Sequence, residues 1–376
     1  MKLNSIQFLR AVAALLVVYD HSMLIQMNYG ISLQQNLLHI NKFGNIGVDL
    51  FFVISGFIIM LIASRYIGVS QGIHFLAKRF CRINPVYYIL SLLALIIFPI
   101  SVNAIFDSLL ILPTSGDTKA YNPVMTVGWT LSFEWFFYLL FFLLIVCNVR
   151  QKVFYLMGII SFLVISGYIF KQNDFRLTFI TNPIILEFLL GCIISYIYLN
   201  IKTIPVDIGF SCLLIGIASW LFFIIQGFGT IWSGLATLNG HVSLNRAILW
   251  GIPGSLIVAG CVILEKNHRL NFLWNNKFML LCGDASYSIY LVQVLVLNSL
   301  TLLYEKTGYF LPADIMIWLQ LILAVAVSIF FYQLVEKPLL QFMYKRQSRN
   351  NTIRSKYAII PGDQKGLSTE NKLKQM

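Results

Sequence analysis

Charge is what this sequence has least of: 11% of its 376 residues are Asp, Glu, Lys or Arg, where an ordinary soluble domain carries roughly 25%. With 58% apolar residues and a mean hydropathy of +0.79, too few polar side chains are available to cover a water-soluble body, and disorder requires the opposite bias. Alternating segments of ~10 residues, the mark of a membrane β-barrel, are missing as well. Cysteine is sparse: Cys81, Cys147, Cys192, Cys212, Cys261 and Cys282 are scattered with no close pair. That spacing indicates neither a zinc site nor a disulfide framework, so the six read as small packing residues and no metal site is expected. What is abundant is the apolar run of about 20 residues, the length of a helix crossing a ~30 Å hydrocarbon layer. The expected fold is an all-α polytopic membrane protein.

Ten such runs fall at 6–26, 46–66, 85–103, 129–148, 153–170, 183–200, 208–226, 246–264, 280–303 and 315–335. An even number leaves both termini on one side. If that side is the cytoplasm, the inner loops hold Arg65, Lys78, Arg79, Arg82, Arg150, Lys152, Lys202, Lys266, Arg269 and Lys277, and the tail adds Lys345, Arg346, Arg349, Arg354 and Lys356. The outer loops hold Lys42, Lys119, Lys171, Arg176 and Lys306. This asymmetry obeys the positive-inside rule, so the N- and C-termini are expected to be cytoplasmic. It also accounts for the net charge of +12 without nucleic acid, whose binding needs basic residues clustered on a water-facing domain. Residues 1–340 should form one integral membrane domain. Residues 341–376, polar, basic and aperiodic, read as a cytoplasmic tail, disordered or lying against anionic lipid. The first run lacks a small-residue cleavage site and is expected to stay in the mature protein.

Ionisable groups inside a bilayer are costly, about 2.5–3.5 kcal/mol each at the centre on insertion scales, and mark function by default. The first run carries Arg10 and His21, eleven residues apart, about 16 Å along a helix and on broadly one face. A neutral imidazole there can accept a proton from a substrate hydroxyl, as a general base does; it can equally be a histidine hydrogen-bonded between helices. Asp20 points about 100° away from His21 and is the weaker candidate. The second run opens Gly47-Val48-Asp49-Leu50-Phe51-Phe52 and continues to Ser55-Gly56. Asp49 is a partner for His21 or Arg10, or an outer-interface charge, and Ser55 and Gly56 read as packing residues. Arg79 and Arg82 lie three apart, one helical face, a spacing that clamps phosphate bidentately or simply anchors an inner helix end. Glu134 sits in the run Trp129-Thr130-Leu131-Ser132-Phe133-Glu134-Trp135-Phe136-Phe137-Tyr138, where a carboxylate must be paired, solvated or neutralised, and where aromatic rings beside a carboxylate suit a sugar. Glu187, Arg246 and Asp284 stand as singletons that fit structural ion pairs.

Taken together, Phe8-Leu9-Arg10 leading to His21, the Gly47–Phe57 segment, Arg79-Phe80-Cys81-Arg82-Ile83-Asn84-Pro85 and Trp129–Tyr138 resemble the signatures of acyltransferase family 3, integral membrane proteins whose bacterial members O-acylate exopolysaccharide, capsule or O-antigen sugars. Arg246 before Gly251-Ile252-Pro253, Ser286-Tyr287-Ser288-Ile289-Tyr290-Leu291, and Glu336-Lys337-Pro338 are similar to its later landmarks. The resemblance spans nearly all of residues 1–340. One position departs from it: many relatives carry a histidine where this chain has Gln293, and glutamine cannot titrate. The resemblance implies that His21 is the catalytic base, supported by Arg10; Glu134 and Asp49, carboxylates inside apolar runs, are further catalytic candidates. It implies that Arg79 and Arg82 recognise an acyl-coenzyme A donor, acetyl-CoA in the first instance, as co-substrate, with no permanently bound cofactor. The expected activity is O-acetylation of a cell-surface polysaccharide or lipid-linked sugar at the bacterial cytoplasmic (inner) membrane. A secondary transporter or flippase of lipid-linked saccharides is the alternative, in which the buried charges would line a translocation path.

Overall fold

The computed structural model describes residues 3–28, 44–98, 102–111, 113, 121, 123–170, 174–228, 234–240, 242–308 and 312–345. Every regular element among them is helical: α1 (Asn4–Asn28), α2 (Ile46–Ala63), α3 (Val69–Ile97), α4 (Val102–Leu110), α5 (Gly128–Val146), α6 (Lys152–Phe170), α7 (Phe175–Ile180), α8 (Ile185–Asn200), α9 (Val206–Ile225), α10 (Gly234–Leu238), α11 (Ser243–Arg246), α12 (Ile252–Lys266), α13 (Asn271–Trp274), α14 (Lys277–Asp284), α15 (Ser286–Thr307) and α16 (Ala313–Phe331). A π-helical turn at Ala247–Gly251 joins α11 to α12, and another at Tyr332–Glu336 extends α16. Among the described residues, ten helical segments are long and apolar enough to cross a membrane, so the ten-span, all-α expectation is met. The ends are set by residues that cannot continue a helix or need not donate. Gly68 (φ +90°) precedes α3 and Gly308 (φ +68°) follows α15, while Pro205 and Pro312 stand before α9 and α16, where a missing N–H costs nothing.

Several spans differ from their expected limits, the sixth beginning at Phe175 and not at 183. The third is not 85–103 but Val69–Ile97, and Pro85 lies inside it. Proline normally marks a first turn, but here Gly72, Phe75 and Ile83 bury the preceding stretch, and packing offsets the hydrogen bond that Pro85 cannot donate. Arg79 and Arg82 therefore belong to a membrane helix and not to a loop. The ninth span begins at Ser286, after a break at Ala285 that separates α14 from α15. The tenth continues to Lys345, past the expected start of the tail. Residues 346–376, with Arg346, Arg349, Arg354 and Lys356, lie outside the described residues, as do Lys42, Lys119 and Lys171.

The bundle is layered around α2. Its closest neighbour is α8, and the two backbones touch through a pair of glycines. A Cβ on Gly56 would fall 2.0 Å from the Phe188 carbonyl oxygen, and one on Gly191 2.0 Å from the Val53 carbonyl oxygen, so no larger residue fits without separating the helices. Phe52, Phe137 and Phe188 interlock beside this crossing, with centroids 4.7 and 4.8 Å apart. Helix α1 threads between α2, α14, α15 and α16. Its N-terminus is capped from α12: the Asn4 and Ser5 amides and the Ser5 hydroxyl donate to the Glu265 carboxylate at 2.8, 3.0 and 2.5 Å, anionic charge placed where helix N–H groups are unpaired. Helices α6 and α9 turn apolar side chains such as Phe162, Ile165, Leu214 and Phe222 outward, as lipid contact requires.

Candidate functional site

A cavity of about 270 Å³ opens between α1, α2, α3, α5, the α14–α15 junction and the π turn after α16. Three guanidiniums line it, from Arg10, Arg79 and Arg82, and Glu134 lines it with them. The i, i+3 spacing on α3 does put Arg79 and Arg82 on one face, and both line the cavity with Arg10 of α1. Each arginine is held differently. Arg10 donates to Gln7 Oε1, one turn back, at 3.3 Å. Arg79 lies over the rings of Phe75 and Tyr138, 5.6 and 5.8 Å from their centroids, and makes no ion pair among the described residues. Its Nε is buried without a hydrogen bond. Arg82 faces Glu336 at 3.6 Å, and Glu336 in turn accepts from Ser288 at 2.5 Å. Asp284 completes the lining and, with Glu134 and Glu336, lies within electrostatic reach of Arg10.

Glu134 is neither unpaired nor exposed to lipid. Its Oε1 accepts from Ser55 Oγ at 3.0 Å and from the hydroxyl of Tyr138, one turn along α5. Tyrosines form much of the remaining wall: Tyr287 donates to the Ile83 carbonyl at 2.8 Å, and Tyr290 exchanges a 2.7 Å hydrogen bond with Thr130. Among the sequence candidates, Arg10, Arg79, Arg82 and Glu134 are thus brought to one place.

His21 and Asp49 are not in that lining. Asp49 is fully buried and takes a bidentate pair from Arg246, Nε to Oδ1 at 2.7 Å and Nη2 to Oδ2 at 2.9 Å. Arg246 also donates to Thr237 Oγ1 and to the Asn45 carbonyl, and the fully buried Glu187 lies next to the pair. Asp20 faces the same guanidinium. Asp49 therefore partners Arg246, and not His21 or Arg10, and the cluster ties α1, α2, α8 and α11 together. His21 lies eleven residues beyond Arg10 on α1, about 16 Å along the axis. Its side chain meets that of Gln293 on α15, and Gln293 Nε2 donates to the Tyr290 carbonyl at 3.2 Å. Tyr290 lines the cavity, so a single helical turn of α15 links the cavity wall to the histidine.

The sequence marks Ser55 only as a packing residue and offers no partner for Asp284 or Glu336; all three belong to this constellation. Nothing local marks Ser55. The pairing of Glu336 with Arg82 and Ser288 was foreshadowed only by the separate motifs in which the three occur.

The chain matches a family model described as an acyltransferase domain over residues 3–336. It is similar to the exopolysaccharide production protein ExoZ of Rhizobium meliloti (strain 1021), 31% identical over 312 residues that cover 79% of this chain and 90% of that protein. No solved structure matches it. The matched stretch takes in the whole cavity lining, His21 and the Asp49–Arg246 pair, and the chain belongs to acyltransferase family 3, a multi-pass membrane acyltransferase.

Proposed function

We propose that this acyltransferase moves an acyl group, acetyl in the first instance, from acyl-coenzyme A to a hydroxyl of an exopolysaccharide or lipid-linked sugar at a bacterial inner membrane. The observation that carries this is the convergence of Arg10, Arg79 and Arg82 on one cavity. Coenzyme A is polyanionic, and guanidinium forks are the side chains best matched to phosphate oxygens. Arg79 lies over Phe75 and Tyr138 with no carboxylate paired to it among the described residues, so its charge is available to phosphate. The remaining lone pairs of Glu134 can accept from an amide N–H of the donor's arm. The ~16 Å from Arg10 to His21 is of the order of an extended pantetheine arm, so a donor anchored at the arginines can present its thioester near the imidazole.

In the transfer itself, His21 takes the proton of the acceptor hydroxyl as that oxygen attacks the thioester carbonyl carbon. The carbon–sulfur bond then breaks, and the imidazolium returns the proton to the leaving thiolate. The sugar acceptor is supported by the name of ExoZ, a protein of exopolysaccharide production, and by Trp129 and Trp135 on the helix that carries Glu134. The test is to supply purified protein in vesicles with acetyl-CoA and an acceptor glycan, following free thiol release and the glycan's mass. Thiol release with an acetyl mass gain is expected. An unmodified glycan that merely crosses the vesicle wall would make the protein a transporter instead. Mass spectrometry of surface polysaccharide from cells with and without the protein identifies the acyl group directly.

A further inference from the structure

His21 is only partly buried, and its side chain meets that of Gln293, which is fully buried in α15. The surroundings settle which way the glutamine amide points. Its Nε2 donates to the Tyr290 carbonyl at 3.2 Å, a contact only the nitrogen end can make. Oε1 is therefore the other end. That oxygen is buried and completes no hydrogen bond among the described residues, and the polar side chain that meets Gln293 is His21, on the α1 helix packed against α15. A buried amide oxygen in an apolar bundle calls for a donor, and an imidazole N–H is the donor at hand.

We infer that Gln293 is a positioning residue that holds His21 in the tautomer whose N–H points at Gln293 Oε1, so that the other ring nitrogen offers its lone pair to the acceptor hydroxyl. The inference rests on His21 being the general base. In a neutral imidazole one nitrogen donates and the other accepts, and the partner of one decides the role of the other. Gln293 suits this task because it is a neutral acceptor: it orients the ring without adding a negative charge that would favour the imidazolium. The charged groups on the helices around α1 are engaged elsewhere. Asp20, beside His21 on α1, faces Arg246 and the Asn45 backbone; Asp49 of α2 is bound to Arg246; Asp284 of α14 acts on Arg10. Tyr290 on α15 is engaged with Thr130, and Tyr19 on α1 lies against Trp318 of α16. The glutamine that cannot titrate thus has a role that needs no titration.

The test is the pH–rate profile of purified protein with acetyl-CoA and acceptor glycan for the wild type, Gln293→Leu, Gln293→Glu and His21→Ala, together with donor and acceptor KM and melting temperature. Gln293→Leu removes the acceptor at similar volume. It should lower kcat by about tenfold or more while leaving both KM values and the melting temperature near normal. Gln293→Glu restores an acceptor but adds charge. Its kcat should recover at alkaline pH, with the acidic limb displaced upward by about one pH unit or more. Wild-type kcat in Gln293→Leu, or an undisplaced limb in Gln293→Glu, overturns the inference, and Gln293→Glu decides alone if the leucine variant does not fold. A His21→Ala protein that keeps both activity and the acidic limb defeats the base assignment itself. An inactive His21→Ala beside two wild-type Gln293 variants defeats only the tautomer role.

Discussion

At positions 79 and 82, arginine and lysine would carry the same charge but not the same hydrogen bonds, and the cavity separates the two properties. Lysine keeps the positive charge that anchors a helix end yet loses the planar fork that binds phosphate through two parallel N–H groups. It also lacks the delocalised guanidinium that Arg79 holds over the rings of Phe75 and Tyr138. Losing one charge-assisted contact costs on the order of 1.5–3 kcal/mol, a roughly ten- to hundred-fold weaker apparent affinity. Arg79→Lys and Arg82→Lys should therefore raise the KM for acyl-CoA by about that factor with little change in the acceptor KM, measured after confirming normal folding. Unchanged donor KM in both variants would move the donor site elsewhere. His21→Ala makes a different forecast: with the neighbouring Asp20 facing Arg246 and the Asn45 backbone, transfer should be abolished while protein amount and membrane insertion stay near normal. An acylation assay on membranes normalised for protein checks it.

Helix α2 carries the fold and the site at once. Its Gly56 face meets α8, its Asp49 takes Arg246, and its Ser55 reaches Glu134. Asp49→Ala should destabilise by about 3–5 kcal/mol because it strands a fully buried guanidinium. Removing both charges with Asp49→Ala and Arg246→Met should recover much of that loss. Thermal unfolding in detergent, run as a double-mutant cycle, reads the coupling directly, and additive losses would show that the pair is not what joins α2 to α11. These elements also show what a sequence can and cannot disclose. Spans such as α2 and α6 were legible because twenty apolar residues need no partner to declare a membrane helix. The start of α3 was not, because Pro85 and the basic residues before it carry the local marks of a helix beginning, and only burial of Phe75 and Ile83 against other helices overrides them. Arg10 and Glu134 were legible because each charge is anomalous in an apolar run, and Arg79 and Arg82 by their i, i+3 spacing; that the four share one cavity was not, because no spacing connects the three helices that carry them. The partner of Asp49 was not: it stands 197 residues away, and no periodicity connects α2 to α11. Ser55 is equally unmarked, since a hydroxyl costs little to bury and so leaves no anomaly in the sequence.

The distribution of basic residues over the whole molecule predicts its orientation, and the structure gathers several of them at one end of the bundle. Lys152 Nζ donates to the carbonyls of Ser64 and Val149, at 3.1 and 2.9 Å, just past the C-termini of α2 and α5. Lys266, ending α12, donates to the carbonyls of Tyr198 and Ile201 at the end of α8, at 3.1 and 2.7 Å. Cations thus sit where helix carbonyls are left unpaired. The cap from Glu265 to Asn4 and Ser5 fixes the start of α1 at this same end, and ten crossings return the chain to it. Since short loops rich in Lys and Arg stay on the cytoplasmic side, a reporter fused after residue 376 should be cytoplasmic and one inserted in the 227–245 loop extracytoplasmic. Paired alkaline phosphatase and green fluorescent protein fusions distinguish the two sides, one active only outside and the other fluorescent only inside. The reverse labelling at both sites would invert the bundle. It would place the basic end outside, and the arginine cavity could then no longer be supplied with a donor that is made and held in the cytoplasm. Labelling of the two sites on one side would instead break the span count between α9 and the C-terminus, and α15 and α16 would be the helices to re-examine.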